Sequence, residues 1–232
     1  MPKFTTTLVP PPSSTNTPLT LPPPTTTLTT PTNTPLTTAL TIRRDVFIRE
    51  QNCTPEGEID SDDSRSWQWV VYADQEHPNT NSNSNSDSTN GVNPTTPVAV
   101  IRLVPPPHAP HEILTHPETA ASLPEWDLKS ELYVKLTRVA VVKEWRGCGL
   151  GRVLVDEALK WAVQNRGEIE RAFREVTGGL EGEWKGLVLV HAQVQVEGMY
   201  RRLGFETDEG LGRWDEEGIE HVGMWRRVHV SS

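Results

Sequence analysis

Hydrophobic and polar positions alternate in ways that predict the first elements of the fold. Apolar residues recur at near-helical spacing over 36–50, and Pro35 suits the first turn of a helix that we expect to end near Asn52. The apolar runs 67–72 and 98–104 each predict a buried strand. The first half of the chain therefore supplies one helix and two strands.

The second half alternates strand-like and helix-like patterns. Its clearest strand covers 133–142, and a glycine-rich turn leads from it into a helix over 150–165 with one apolar face. Residues 166–185 predict a charged connection that allows a helical turn, 187–190 a buried strand and 196–203 a short helix. The stretch around Phe205 and residues 221–230 predict two terminal strands, joined through acidic residues 215–218. This order predicts an α/β fold, with one mixed central sheet flanked by helices.

Low-complexity segments set the domain organisation. Residues 1–35 form a Pro/Thr-rich tail or linker, in which the β-branched run 4–9 fits either an edge strand or part of the tail. Residues 75–96 are rich in Asn and Ser and predict a disordered loop, and 105–130 predict an irregular surface excursion. We therefore expect a single domain over 36–230.

Composition narrows the function. The 232 residues carry a formal net charge of −9, which disfavours nucleic acid and anionic membranes as partners and suits a cationic one. There are two cysteines, which lack metal-site spacing, and no apolar stretch long enough for a membrane span. We expect a cytoplasmic protein, with the nucleus left open, and the sequence leaves the oligomeric state open, a homodimer included.

The turn at 146–151 has the sequence RGCGLG. A strand, a glycine turn and a helix in succession place backbone N–H groups at a helix N-terminus, where the helix dipole and unsatisfied donors favour an anion. Gly149 and Gly151 allow close backbone approach, and Arg146 adds a permanent positive charge. The spacing fits neither the GxGxxG dinucleotide fingerprint nor a Walker loop, so an RxxGxG turn able to bind phosphate remains.

This turn and several other segments resemble the GNAT superfamily of acyl-CoA-dependent N-acyltransferases, in particular its ElaA-like branch. The segments that carry the resemblance are VFIREQNC at 46–53, EIDSDD at 58–63, TRVAV at 137–141, AQ at 192–193, YRRLGF at 200–205 and EEGIEHVGM at 216–224. The resemblance implies the GNAT fold and acetyl-CoA as co-substrate, without a metal.

Cofactor-binding residues follow from the same resemblance. In this superfamily the strand before the turn bulges, its backbone binds the pantetheine arm, and an amide there stabilises the oxyanion. The residues placed at the acetyl-CoA site are Val139, Ala140, Val141, Arg146, Gly147, Cys148, Gly149, Leu150 and Gly151. Tyr200 is the expected acid for the departing thiolate, and the alternative for it is a packing role beside Met199 and Leu203.

The acceptor ammonium must lose a proton before it attacks, so we expect a carboxylate base. Glu50, at the end of the first helix, is the first candidate. The acidic residues of the next loop are the others: Glu58, Asp60, Asp62 and Asp63. Glu58 and Asp60 are also expected to bind the acceptor, although a solvated acidic surface is an equal interpretation.

Histidines and a cysteine allow further readings. His108, His111 and His116 suggest a metal site, but their spacing lacks a strand or helix to converge them, and we expect a solvated loop. His221 could move a proton, although a strand histidine bonded to a neighbour is the simpler state. Cys148 is expected as a small residue in the turn rather than as a nucleophile.

These observations predict an N-acetyltransferase that moves the acetyl group of acetyl-CoA to a primary amine by direct attack. A small amine or polyamine is the favoured acceptor and a protein amine the second. The alternative from another class is a non-catalytic acyl-CoA-binding or protein-interaction module on the same fold.

Overall fold

The computed structural model describes residues 2–12, 18–30, 33–74 and 95–230. Two compact units divide the chain: the first comprises Met1–Ile101 and Arg138–Leu154, and the second comprises Arg102–Thr137 and Val155–Ser232. Most of the predicted loop 75–96 lies outside the described residues. Among the described residues, no helix has the length and apolar character needed to cross a membrane.

The first unit is built on strands and one broken helix. Strand β1, Phe4–Val9, pairs antiparallel with β2, Trp67–Ala73, so the β-branched run near the start of the chain forms a strand. Helix α1, Pro35–Arg43, continues into a π-helix, Arg44–Glu50, close to the predicted helix end. The core of this unit is formed by Val9, Ala39, Ile42, Val46, Val70, Val100 and Ala140.

Part of the Pro/Thr segment is held by hydrogen bonds, although its composition suggests a linker. Arg44 donates from Nη1 to the carbonyls of Pro22 and Pro23 at 3.0 and 2.7 Å, and from Nη2 to the carbonyl of Thr26 at 2.8 Å. Proline has a backbone carbonyl but no backbone N–H. The buried guanidinium of Arg44 supplies hydrogen-bond donors to these carbonyls.

The remaining strands extend the sheet. Strand β3, Thr96–Val104, and strand β4, Tyr133–Val141, each begin in one unit and end in the other. In the second unit β4 pairs in parallel with β5, Leu187–Gln193, and β5 pairs antiparallel with β8, Ile219–Arg227. Two short strands, β6 at Glu206–Thr207 and β7 at Arg213–Glu216, also pair with β8. The chain therefore has the predicted mixed α/β fold.

The acidic stretch near the end of the chain differs from the prediction. It was expected only to connect two strands, but Arg213–Glu216 forms β7 and makes a tight hairpin with β8. Glu217 and Gly218 form the turn with φ values of 56° and 78°, and Gly218 N donates to Asp215 Oδ1 at 2.9 Å. Two consecutive left-handed residues match the twist of a two-residue hairpin, and charge alone does not signal this.

Helices pack against the sheet of the second unit. Helix α3, Leu150–Gln164, starts in the first unit. Helix α4 follows at Arg166–Val176, where the sequence predicts a charged connection with at most one helical turn. Ile169 and Phe173 lie one helical turn apart and are buried, so a narrow apolar stripe within charged residues is enough to define α4. Short helices α2, Glu112–Thr115, and α5, Glu197–Arg202, complete the unit.

Candidate active site

Strand β4 carries a backbone irregularity at Arg138. This residue has φ 51°, in the left-handed region that non-glycine residues avoid, and it lies inside a strand. Its side chain binds the acidic loop: Nη2 donates to Gly57 O at 2.9 Å, and Nε lies 3.1 Å from Glu58 Oε2. Nη2 also lies 3.2 Å from Asp60 Oδ2. These contacts stabilise a backbone conformation of Arg138 that otherwise costs about 1–3 kcal/mol.

A second arginine binds carboxylates of the same acidic loop in the interior of the unit. Arg43 on α1 is fully buried, and its Nε donates to Glu58 Oε1 at 2.6 Å. Its Nη1 bonds Asp63 Oδ1 at 2.5 Å, and Asp63 also accepts the amide of Asp60. Glu58 thus bridges Arg43 and Arg138, which is a structural ion-pair network.

This network corrects the expectation that Glu58 binds the acceptor, whereas the same expectation for Asp60 stays a prediction. Glu58 is only 5% exposed and both of its carboxylate oxygens face arginines. Asp60 pairs with Arg138 and caps the 3-10 helix Ser61–Arg65. The alternative of a solvated surface is also wrong for Glu58 and Asp63, because a buried arginine draws these carboxylates inward.

The glycine turn follows β4 directly in the first unit. Trp145 is buried and packs edge-on against Phe4, with ring centroids 5.9 Å apart, and Leu150 is buried at the start of α3. Between these anchors Gly147 and Gly149 have φ values of 81° and 78°. A Cβ at either glycine would meet no atom of the described chain within 4 Å. The glycines are needed for backbone conformation, and their outer side is open.

The start of α3 gives this open side its polarity. Gly149 O accepts the amides of Arg152 and Val153 at 3.1 and 3.3 Å, so the helical bonding begins at Gly149. The first amides of a helix have no earlier carbonyl to bond, and they point out of the N-terminus together with the positive end of the dipole. The turn therefore presents backbone donors to an anion.

Arg146 and Glu50 form an ion pair at this turn. Arg146 Nη1 lies 2.5 Å from Glu50 Oε1 and Nη2 lies 2.8 Å from Oε2, which is the bidentate geometry of a guanidinium with a carboxylate. Arg146 Nε also donates to Val141 O at 3.1 Å. The hydrogen bond from Arg146 lowers the pKa of Glu50 below its ordinary value.

This pair changes the interpretation of Glu50. Both oxygens of Glu50 accept hydrogen bonds from the guanidinium, so the carboxylate faces Arg146. This pairing does not suit the base role expected from sequence. The structure instead brings Glu50 together with the residue expected to bind phosphate.

Tyr200 lies on α5 in the second unit. It is 4% exposed and packs edge-on against Phe205, with ring centroids 5.5 Å apart. Burial raises the pKa of its hydroxyl above the ordinary value. Cys148, within the glycine turn, is a free and exposed thiol.

Histidines of the excursion are placed differently from the prediction. His108 is buried and stacks on Tyr133 at 4.4 Å, and His111 packs against His191 and Trp214. They are not in a solvated loop, because aromatic residues of the sheet cover them. Within the described ranges, no group of three or more His, Cys, Asp or Glu side chains is arranged so that it could hold a metal ion. His221 bonds Ile219 O through Nδ1 at 2.8 Å.

His191 has no counterpart among the predicted site residues. It lies within a buried strand pattern, and the only sequence signal is a polar residue in the run LVLVHAQ. Its partners come from distant parts of the chain, so local sequence could not reveal them.

Comparison with known proteins identifies the domain. Residues 111–207 match the family model described as an acetyltransferase (GNAT) domain. The chain is similar to ElaA of Escherichia coli, with 21% identity over 83% of this chain and 89% of that one and a TM-score of 0.49. It is similar to an acyl-CoA N-acyltransferase from Pseudomonas aeruginosa, with 22% identity over 82% and 89% and a TM-score of 0.47.

A third solved structure bears on the fold. FeeM, an N-acyl amino acid synthase from uncultured soil microbes, has 10% identity over 98% of this chain and 91% of that one, with a TM-score of 0.52. This likeness shows a shared fold. The fold is therefore one that this synthase shares. Residues 111–207 are similar to a GNAT acetyltransferase domain.

Proposed function

We propose that the chain is an N-acetyltransferase that moves the acetyl group of acetyl-CoA to a primary amine by direct attack. The glycine turn at 146–151 is the observation that supports this most directly, because it combines helix N-terminal amides, an open outer side and an adjacent arginine. A small amine or polyamine is the proposed acceptor, and the net charge of −9 suits a cation.

The diphosphate of acetyl-CoA is assigned to the turn. The backbone of Gly147, Cys148, Gly149, Leu150 and Gly151 provides its donors. Arg146 adds a fork of N–H groups that matches a phosphate as well as it matches the carboxylate of Glu50. The proposed role of Glu50 is therefore a counter-ion that the diphosphate displaces.

The pantetheine arm is assigned to the backbone of Val139, Ala140 and Val141. The last pair of the β4–β5 ladder is Leu136 with Val190, whereas β4 continues to Val141. Arg138, with its positive φ, comes immediately before these residues, and a left-handed residue inside a strand changes the direction of the backbone that follows it. An amide here would donate to the oxyanion that forms at the thioester carbonyl.

Tyr200 is the proposed acid for the thiolate. A CoA thiol has a pKa near ~8.5 and a free phenol near ~10, so a buried Tyr200 stays protonated in the neutral range. Burial raises the pKa of the Tyr200 hydroxyl further, so proton transfer to a free thiolate is uphill.

Amine-dependent release of CoA thiol tests the proposal. The purified full chain is incubated with acetyl-CoA and, separately, n-butylamine, spermidine, phenethylamine and a peptide with a free N-terminus. Thiol formed with a small amine, together with the acetylated amine by mass spectrometry, supports the proposal. If thiol forms only with the peptide, the acceptor is a protein amine. If CoA binds and no thiol is released with any amine, the chain is a non-catalytic module.

A further inference from the structure

Three imidazoles surround one indole in the second unit. The ring of Trp214 on β7 lies 4.7 Å from that of His111 and 4.8 Å from that of His191, both edge-on, and it stacks on His221 at 6.2 Å. His111 and His191 are themselves edge-on at 5.7 Å. Three imidazoles and one indole therefore converge from the excursion, β5, β7 and β8.

Two ring nitrogens in this cluster are buried and have no hydrogen-bond partner within the described part of the chain: His111 Nδ1 and His191 Nε2. His111 Nε2 bonds Leu211 O at 3.0 Å, and since a carbonyl only accepts, His111 carries its proton on Nε2. Its Nδ1 is therefore an unused acceptor. A buried polar atom without a partner costs about 1–3 kcal/mol, which calls for an occupant that can donate a hydrogen bond.

His191 is held neutral in the free protein. Burial lowers its pKa well below the usual value, and the nearby charge of Lys135 adds to this effect. Its Nδ1 lies 3.7 Å from Glu216 Oε1, and Glu216 is fixed by the Trp214 indole N–H at 2.5 Å. A carboxylate on that side favours the Nδ1–H tautomer and leaves the lone pair on Nε2.

The position of His191 on the strand connects it with the proposed reaction. The β4–β5 ladder ends at Leu136 and Val190, and His191 is the next residue of β5. In β8 it pairs with Gly223. Gly223 itself carries no side chain, and the side chain of Leu211 packs against it. His191 thus lies one residue beyond the point where the β4–β5 ladder stops.

We propose that this cluster is the acceptor site, that it binds a neutral primary amine, and that His191 Nε2 takes the proton of the attacking nitrogen. This inference rests on the proposed function and names the base that Glu50 does not provide. The surroundings disfavour cations, so they favour the deprotonated amine over its ammonium form. The amine N–H groups would donate to His191 Nε2 and His111 Nδ1.

The proton and bond changes then balance. The amine nitrogen forms a bond to the thioester carbon, and the nitrogen, which becomes cationic and acidic, passes a proton to His191 Nε2. The carbon–sulfur bond breaks, and the thiolate takes a proton from Tyr200. Exchange with water returns His191 and Tyr200 to their starting states, so the products are the amide and CoA thiol.

Replacement of one histidine separates this role from general folding. His191→Gln is compared with His116→Gln, the same change at an exposed histidine of the excursion. We expect His191→Gln to lower kcat about 100-fold or more while the CoA Kd stays within threefold of the wild type. Glu216→Gln, at a partly exposed carboxylate that positions His191, is expected to lower kcat by a smaller factor.

The pH profile of kcat adds a readout that a packing role would not change. Titratable groups that face His191 are Lys135, His108, His111, Glu216 and His221. Because burial lowers the pKa of His191, an acid limb is expected in the wild type and His116→Gln at a pH below the ordinary histidine range, and it should be absent from the residual activity of His191→Gln. Activity of His191→Gln within threefold of His116→Gln, with the acid limb intact, would overturn the proposal.

Binding is measured apart from turnover. In protein with isotope-labelled histidine, n-butylamine added without acetyl-CoA should shift the His191 Nε2 resonance and leave that of His116 unchanged. No shift at saturating amine contradicts the acceptor site, whatever the activity. A shift in a protein that releases no thiol with any amine supports the amine site and counts against the proposed function instead.

Discussion

Arg146 and Glu50 are joined by two parallel hydrogen bonds of 2.5 and 2.8 Å at the start of the anion-binding turn. The carboxylate holds the guanidinium in the bidentate manner that a phosphate would. Glu50 thereby competes with the proposed ligand for Arg146. This relationship separates two roles of Glu50, counter-ion and base.

Glu50→Gln distinguishes these roles. An amide cannot pair with Arg146 as a carboxylate does, so Arg146 becomes available and CoA should bind about twofold to fivefold more tightly, as expected for loss of a partly exposed ion pair. We expect kcat to change by less than threefold. Calorimetry and steady-state kinetics provide the two values, and a loss of kcat near 100-fold would restore Glu50 as the base.

Removal of charge from Glu58 should destabilise the first unit. Glu58→Gln leaves Arg43 and Arg138 without a shared carboxylate, and breaking a buried pair costs about 3–5 kcal/mol. The matched change Asp60→Asn, at a more exposed carboxylate, should cost less than about 1 kcal/mol. Urea unfolding at neutral pH measures both. Equal losses would show that burial of Glu58 does not determine the energetics of the loop.

Tyr200→Phe tests the proposed acid. The ring contact with Phe205 is retained because only the hydroxyl is removed, so the melting temperature and the CoA Kd should be close to wild type. We expect kcat to fall by about 100-fold. Unchanged kcat would assign Tyr200 to packing beside Met199 and Leu203.

Acid sensitivity should depend on His191. Its folded-state pKa is lowered, so at pH below ~6.5 the unfolded chain binds a proton that the folded chain does not. Stability from this group is complete above that pH and declines as pH falls toward the lower folded-state pKa. The melting temperature of the wild type should therefore fall more steeply between about pH 6.5 and 5 than that of His191→Gln. Parallel curves would contradict the neutral, buried state of His191.

Local patterns predict the parts of this fold that depend on neighbours in sequence. The strand–turn–helix around 146–151 follows from glycine placement and an amphipathic period, and the fold class follows from the order of elements. Helix α4 was missed because charged residues dominate it, and β7 because its turn uses Glu217 at positive φ. Both are decided by packing and pairing rather than by composition.

Long-range contacts explain the errors at the site. The sequence predicts functional roles for the carboxylates of Glu50 and Glu58, but their partners Arg146 and Arg43 are 96 and 15 residues away. The imidazoles of His111 and His191 meet only after the sheet has formed. A sequence shows which residues can act as acids, bases or ions, and the fold decides which of them are already paired.

Titration of CoA against two variants of Gly149 tests the central assignment most directly. Gly149→Asp and Gly149→Asn have similar size and both residues tolerate positive φ, and the new side chain points to the open side of the turn. If the turn holds the diphosphate, Gly149→Asn should weaken CoA binding moderately and Gly149→Asp should abolish it through charge repulsion. Equal and near-wild-type CoA affinity in both variants would contradict the assignment of the turn as the acetyl-CoA site.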